Sequence, residues 1–228
     1  MSNCKLCIIR ELNSIKSLSK EEIIKFSEHK DTIDFKKGDV LFSEGTTLNG
    51  VYCIKEGICK MSRLSENGKE QIVKFIKKGD LLGYSSVLGE ESVTLTATAL
   101  NDLKTCFIPK STVFETMKNN PTFSLEMTKT VCNDLRDANI IITNMAQKHV
   151  KERLADTLLM LKDTFGVDEE GVLDIVLTRE ELASVIGTAT ESAIRLLSEF
   201  KKKGLIVLKG KKIKIIGELE LHKISQGF

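Results

Sequence analysis

Between Pro121 and Gly166 lie 44 residues without a single glycine or proline. A stretch of that length carries no turn punctuation, and Pro121 occupies a position favoured near a helix start, so one long helix, continuous or bent once, is expected. Within it Met127, Val131, Leu135, Ala138, Ile142, Met145 and His149 recur at steps of four or three. That stripe has the spacing of a two-stranded coiled-coil seam. A small neighbouring domain is too short to cover it, so Met127, Val131, Leu135, Ala138, Ile142 and Met145 are expected to form a dimer interface; the competing reading is that the stripe packs on the chain's own core. Past Val150 the apolar phase changes to Leu154, Leu158 and Leu161, which marks a domain boundary.

Upstream of the long helix the texture is different. After a helical beginning, in which Ser19 precedes Glu21 and Glu22 as an N-cap with an acidic first turn, short β-type runs follow at residues 32–35, 40–42, 51–54, 58–64, 71–76, 93–100 and 105–108. Turn pairs such as Gly38-Asp39, Asn49-Gly50, Asn67-Gly68 and Gly79-Asp80 separate them. Short strands at regular spacing predict a sandwich or barrel. The chain thus reads as α+β, with a β domain at residues 1–120, a dimerisation helix at 121–148 and a third unit at 149–228.

The third unit carries the strongest chemical signal. Thr178 with Glu181 forms a capping box ahead of Leu182, Val185 and Ile186, Gly187 supplies a tight turn, and a second amphipathic segment runs from Thr190 to Phe200. Two helices joined by a short glycine-containing turn form a helix-turn-helix. Ala193, Leu196, Leu197 and Phe200 make the apolar side of the second helix, whereas Thr190, Glu191, Ser192 and Arg195 gather at its outer, N-terminal part. A recognition helix needs that division, because its first turns enter the major groove while its apolar side holds it on the domain. Arg195 can pair with guanine, Glu191 can accept from cytosine, and Thr190 and Ser192 can reach phosphate or a base edge.

A hairpin at residues 206–208 and 212–216 follows, with Lys209-Gly210-Lys211 at its tip, and a further short strand is expected at 172–177. The net charge is only +2, so affinity for nucleic acid must be local. From Arg195 to Lys214 there are eight basic residues and one acidic residue, Glu199. A lysine run alone more often marks a solvated face, but beside a recognition helix it reads as a phosphate-contacting wing. The expected DNA-contacting set is Thr178, Arg179, Thr188, Thr190, Glu191, Ser192, Arg195, Lys209 and Lys211, and the expected partner is double-stranded DNA.

These residues resemble the CRP/FNR superfamily along almost the whole chain. The likeness runs through Leu177-Thr178-Arg179-Glu180-Glu181-Leu182-Ala183, Glu191 to Arg195 and Lys203-Gly204-Leu205-Ile206 in the last unit. Upstream, Phe35 to Gly45, Gly57, Gly68, Lys78 to Gly83 and Ile108-Pro109 are similar to its cyclic-nucleotide-binding-type β-roll, a jelly roll. The resemblance implies a homodimer that binds a palindromic operator through winged helix-turn-helix heads and contacts RNA polymerase. Glu191 and Arg195 match the family's base-reading positions. Thr190 stands where cAMP-receptor proteins carry arginine, and Ile194 where the FNR branch carries serine.

The resemblance also locates an effector pocket, at Gly83, Tyr84, Ser85, Thr94 and Thr96. In this family cAMP requires a Gly-Glu pair for the ribose and a basic residue for the phosphate. Here Gly83 is followed by Tyr84-Ser85, and Glu91 to Thr96 contains neither arginine nor lysine, so cAMP is not expected; Gly89-Glu90, a displaced alternative, lacks the basic partner.

Of six cysteines, Cys4, Cys7 and Cys106 fall on three of the four positions by which FNR-type oxygen sensors resemble one another as iron-sulfur proteins, and Asn13 replaces the fourth. A cluster ordinarily takes four thiolates, so an iron-sulfur cluster or metal at Cys4, Cys7 and Cys106 stands beside the alternative of an unoccupied, redox-reactive thiol set. Cys53, Cys59 and Cys132 read as buried small hydrophobes. The longest apolar stretches, such as Ile140-Ile141-Ile142, fall far short of the roughly 18 residues of a membrane span, and the first residues lack a signal-peptide core; a cytoplasmic protein is expected. The competing functional reading is a redox or small-molecule module whose last domain mediates protein association. An enzyme is not indicated, because His29, His149 and His222 lie far apart with no nucleophile or metal motif around them.

Overall fold

The computed structural model describes residues 11–228; Cys4 and Cys7 lie outside them. Two compact units divide the chain, one built mainly from residues up to Arg136 and the other mainly from Asp137 onward. In the first, a 3-10 turn (Ser14–Ser17) and α1 (Lys20–Glu28) precede the strands. Ser19 caps α1 through a reciprocal bond pair with Glu22, as the sequence pattern anticipates.

The β domain is a two-sheet roll. One sheet has the order β1 (Asp31–Phe35), β8 (Leu103–Pro109), β3 (Gly50–Glu56), β6 (Leu81–Leu82); the other has β2 (Val40–Phe42), β7 (Thr96–Ala99), β4 (Cys59–Leu64), β5 (Glu70–Ile76). The pairing of β1 with β8 and of β2 with β7 brings together segments more than fifty residues apart, which turn signals alone cannot specify. The two-residue β6 and the helices α2 (Tyr84–Gly89) and α3 (Lys110–Asn119) have no counterpart in the sequence expectations, being too short or too irregular to establish a period.

The long helix forms as α4 (Pro121–Gln147) and breaks once. Asn120 caps it, its side-chain oxygen accepting the Phe123 N–H at 2.9 Å. At the break Glu152 bonds the His149 N–H at 3.1 Å and α5 (Val150–Phe165) begins. The stripe on α4 divides accordingly. Met127 is only 1% exposed and belongs to the core of the β domain, so it is not a rung of an intersubunit seam. The first turns of α4 lie over that domain, and Met127 is used there. Val131, Leu135 and Ile142 are exposed, the last two at 63% and 65%, and Ala138 and Met145 are half-buried.

The second unit contains α5, α6 (Arg179–Ile186), α7 (Thr190–Lys202), the hairpin β9 (Ile206–Lys209) and β10 (Lys212–Ile215), and α8 (Glu218–Ser225). The strand expected at 172–177 does not form. Only isolated bridges occur there, Val167 to Leu173 and Val172 to Lys214, because the segment wraps the domain with Leu173, Ile175 and Leu177 inward and has no partner strand along its length. Leu154, Leu158 and Leu161 of α5 are fully buried, as are Leu221 and most of Ile224 on α8.

Phe123 is 2% exposed and meets Phe26 edge-on at a centroid distance of 6.0 Å. Phe123→Ala should therefore destabilise the β domain by about 3–5 kcal/mol. Urea unfolding followed by far-UV circular dichroism, which should show an earlier first transition than the parent's, provides the check.

Candidate nucleic-acid interface and sensor site

The recognition helix is held by its buried face. Ala193, Leu197 and Phe200 of α7 are at most 1% exposed, and residues at those spacings share one side of a helix. The opposite side is thereby turned to solvent: Glu191 and Arg195 are exposed, and Thr190 and Ser192 half-buried near the helix start. The preceding helix α6 is capped by the expected box, Thr178 accepting from the Glu181 N–H at 3.0 Å and Glu181 accepting from the Thr178 N–H at 2.7 Å. Between the helices Gly187 adopts φ +65°, a left-handed conformation that costs a side-chain-bearing residue about 1–2 kcal/mol. Thr188, half-buried, donates its backbone N–H to the Ala183 carbonyl at 3.1 Å.

A brace not anticipated from the sequence secures this turn. Arg153 of α5 donates through Nε to the Ile186 carbonyl at 2.8 Å, through Nη2 to the Gly187 carbonyl at 3.3 Å and through Nη1 to the Lys148 carbonyl at 2.7 Å. One guanidinium thus satisfies carbonyls at the end of α6 and at the end of α4, which a fork of fixed donors can do and a lysine cannot. Nothing in the sequence singles out this arginine, since its acceptors are backbone atoms and only folding brings them near.

The wing is placed by a second arginine. Arg179, a member of the expected DNA-contacting set, donates through Nη2 to the Gly210 carbonyl at 2.7 Å, at the hairpin tip. Burial pulls its pKa below the ordinary arginine value, and its Nη1 is buried with no hydrogen-bond partner. Arg179 therefore reads as an anchor between the start of α6 and the wing. Lys209 and Lys211 flank Gly210 and are exposed, as are Lys201, Lys202 and Lys212. Lys203 is partly neutralised: Glu199 lies 2.8 Å from Lys151 and 3.1 Å from Lys203, and the hydrogen bonds from these lysines hold its carboxyl below the usual carboxylate range.

The sensor positions take up contacts of their own. Gly83 precedes α2 in a left-handed conformation. Tyr84 is buried, and its hydroxyl donates to Asp134 of α4, which also receives the ammonium of Lys74 from β5. The residue that follows Gly83 thus ties the β domain to the long helix. Ser85 and Thr94 are exposed, and Thr96 accepts the Glu44 N–H at 3.0 Å. Glu44 in turn pairs with Arg63 at 3.0 Å. Cys106 lies in β8, 5% exposed, and Asn13 gives its amide to the Cys53 sulfur and the Gly79 carbonyl. An amide in that place leaves three thiols at the positions the resemblance implies, and these do not complete a four-thiolate cluster. Among the described residues no helix is long and apolar enough to cross a membrane.

Two family models match: a cyclic nucleotide-binding domain over residues 32–120 and a Crp-like helix-turn-helix domain over residues 152–224. The chain is 29% identical over 225 residues to the fumarate and nitrate reduction regulatory protein of Vibrio cholerae, covering 97% of this chain and 87% of that one. It is 27% identical over 229 residues to the transcriptional activator protein Anr of Pseudomonas protegens, covering 99% and 93%. Among solved structures, FixK2 from Bradyrhizobium japonicum superposes with a TM-score of 0.78 at 21% identity, covering 86% of this chain and 96% of that chain.

Removing the Arg153 brace exposes the turn to loss of charge-assisted bonds worth about 1.5–3 kcal/mol. Arg153→Ala should lower the stability of the second unit by that amount, and Arg153→Lys should recover less than half of it. Chemical denaturation of the two variants beside the parent measures both.

Proposed function

Because the chain belongs to the CRP/FNR superfamily of DNA-binding transcription regulators, we propose that it works as a homodimer on a palindromic operator, reads bases with α7, and senses something other than cAMP. One observation carries the reading of the head: Glu191 and Arg195 are exposed on α7 while Ala193, Leu197 and Phe200 seal its other face. Arg195 supplies paired donors for guanine, Glu191 an acceptor for a cytosine amino group, and Thr190, Ser192, Thr178 and Thr188 short polar groups for phosphate and base edges. Lys209 and Lys211 at the wing tip meet the backbone of the duplex without regard to sequence. Arg179 is left out of the contacting set and retained as the wing's anchor.

Dimerisation rests on the apolar surface that remains on α4 after Met127 is subtracted. Val131, Leu135 and Ile142 are exposed, and with Ala138 they continue the stripe at steps of four and three. A second copy laid along it would bury them, and a dimer reading a palindromic operator needs half-sites about 34 Å apart, one turn of duplex. The family likeness extends the reading to contact with RNA polymerase, and no catalytic step is part of it.

The departure from cAMP rests on three groups. Tyr84 follows Gly83 and spends its hydroxyl on Asp134, Thr96 is engaged by Glu44, and no arginine or lysine occurs between Gly89 and Lys104. A cyclic phosphate would meet no cation from that stretch.

In a mobility-shift series against a selected operator, Arg195→Ala should cost about 1–3 kcal/mol of discrimination, an about 5- to 150-fold loss of preference. Lys209→Ala with Lys211→Ala should instead weaken binding to all sequences and flatten the log–log salt dependence by about 1.8. A protein that shifts no duplex under any redox condition is not the regulator described here.

A further inference from the structure

The outer face of α7 holds an apolar side chain among its charges. Ile194 follows Glu191 by three residues and precedes Arg195 by one. Residues at i, i+3 and i+4 are neighbours on a helix surface, so Glu191, Ile194 and Arg195 share the side opposite Ala193, Leu197 and Phe200. Ile194 is 45% exposed. Thr190, half-buried one turn earlier, brings a methyl group of its own to the same neighbourhood. Ser198, exposed one turn later, turns its hydroxyl back to the Ile194 carbonyl at 2.9 Å, a local bond that serine makes within helices.

Helix stability gives no reason for an isoleucine here, because a β-branched residue is a weaker helix former than alanine, lysine or glutamate. A single exposed isoleucine is ordinary on a protein surface; its place on this helix is what matters. The three side chains that seat α7 are at most 1% exposed, so Ile194 has no room to roll inward. Its χ1 angle keeps to one rotamer in a helix about 90% of the time. The apolar group is therefore presented rigidly, and covering it costs little side-chain entropy. Hydrogen-bonding groups line the base edges of the major groove, and the apolar feature among them is the C5-methyl of thymine. An isoleucine laid against an amino group or a carbonyl oxygen strips it of water and returns no bond. Laid against a methyl group, both surfaces leave water together.

We propose that Ile194 reads the C5-methyl group of a pyrimidine, so that each half-site places a thymine beside the base pairs met by Glu191 and Arg195. The assignment rests on the DNA-reading function of α7 and adds a determinant of a different kind, apolar contact in place of hydrogen bonding. Its target is the methyl group and not the pairing face of the base. 5-Methylcytosine therefore offers Ile194 the same surface as thymine, and cytosine does not. Operator affinity is thereby sensitive to C5 methylation of cytosine at that position.

Full-length protein is titrated against synthetic duplexes carrying a selected operator, with each thymine of a half-site, on either strand, replaced in turn by deoxyuridine. That replacement deletes the methyl group and leaves every hydrogen-bonding group in place. At the Ile194 position it should weaken binding by about 4-fold, the worth of one buried methyl group. A C·G pair there should weaken binding further, and 5-methylcytosine should recover about 4-fold of the loss. Ile194→Ala changes an exposed side chain; the variant should bind the thymine and deoxyuridine duplexes alike while keeping the preference that depends on Arg195. Operator preference with no deoxyuridine penalty at any position, a selected half-site without thymine, or a penalty that persists unchanged in Ile194→Ala would overturn this assignment alone. A parent protein with no preference among duplexes would remove the DNA-reading function itself, and the methyl contact with it.

Discussion

The orientation of α7 is set by the burial of Ala193, Leu197 and Phe200, none more than 1% exposed, and the candidate interface depends on that seating. At roughly 25 cal/mol per Å² of apolar surface, a phenylalanine and a leucine removed from water contribute several kcal/mol, far more than any one surface contact of the same helix. Rotation of α7 by one residue would place Lys201 or Glu199 inward, where an uncompensated charge costs more still. The polar face is outward because the apolar face has nowhere else to go.

Two arginines transmit that rigidity to the elements on either side. Arg153 closes the turn around Gly187, and Arg179 ties the wing tip through the Gly210 carbonyl. Each works by satisfying backbone carbonyls that would otherwise be left at helix or hairpin ends. The guanidinium's geometry suits it to this role. Arg179 donates within its own domain, whereas Arg195 is exposed.

In the β domain, Asp134 plays a comparable part. It receives both Lys74 and Tyr84, so strand β5, the turn after Gly83 and the long helix meet at one carboxylate. The carboxylate is thus a polar connection between the β domain and the long helix. The cysteine pair at Cys53 and Cys106 lies in the same domain, on strands joined over a separation of fifty-three residues.

Local periodicity was sufficient for much of this protein. The capping boxes at Ser19 and Thr178, the glycine at the helix-turn-helix corner, the hairpin at Gly210 and the long helix after Pro121 all depend on contacts within a few residues, which composition and spacing encode directly. Tertiary structure decided the rest. Met127 and Leu135 belong to one stripe, yet the former is sealed in the core and the latter is 63% exposed, because only the fold determines how far along α4 the β domain reaches. Residues 172–177 have strand-like composition but acquire no ladder, since a strand needs a partner that sequence alone does not place. The acceptors of Arg153 and the meeting of Asn13 with Cys53 likewise arise from chain segments brought together over 33 and 40 residues. Such pairings depend on the register of whole strands and helices, and no short window of sequence contains that information.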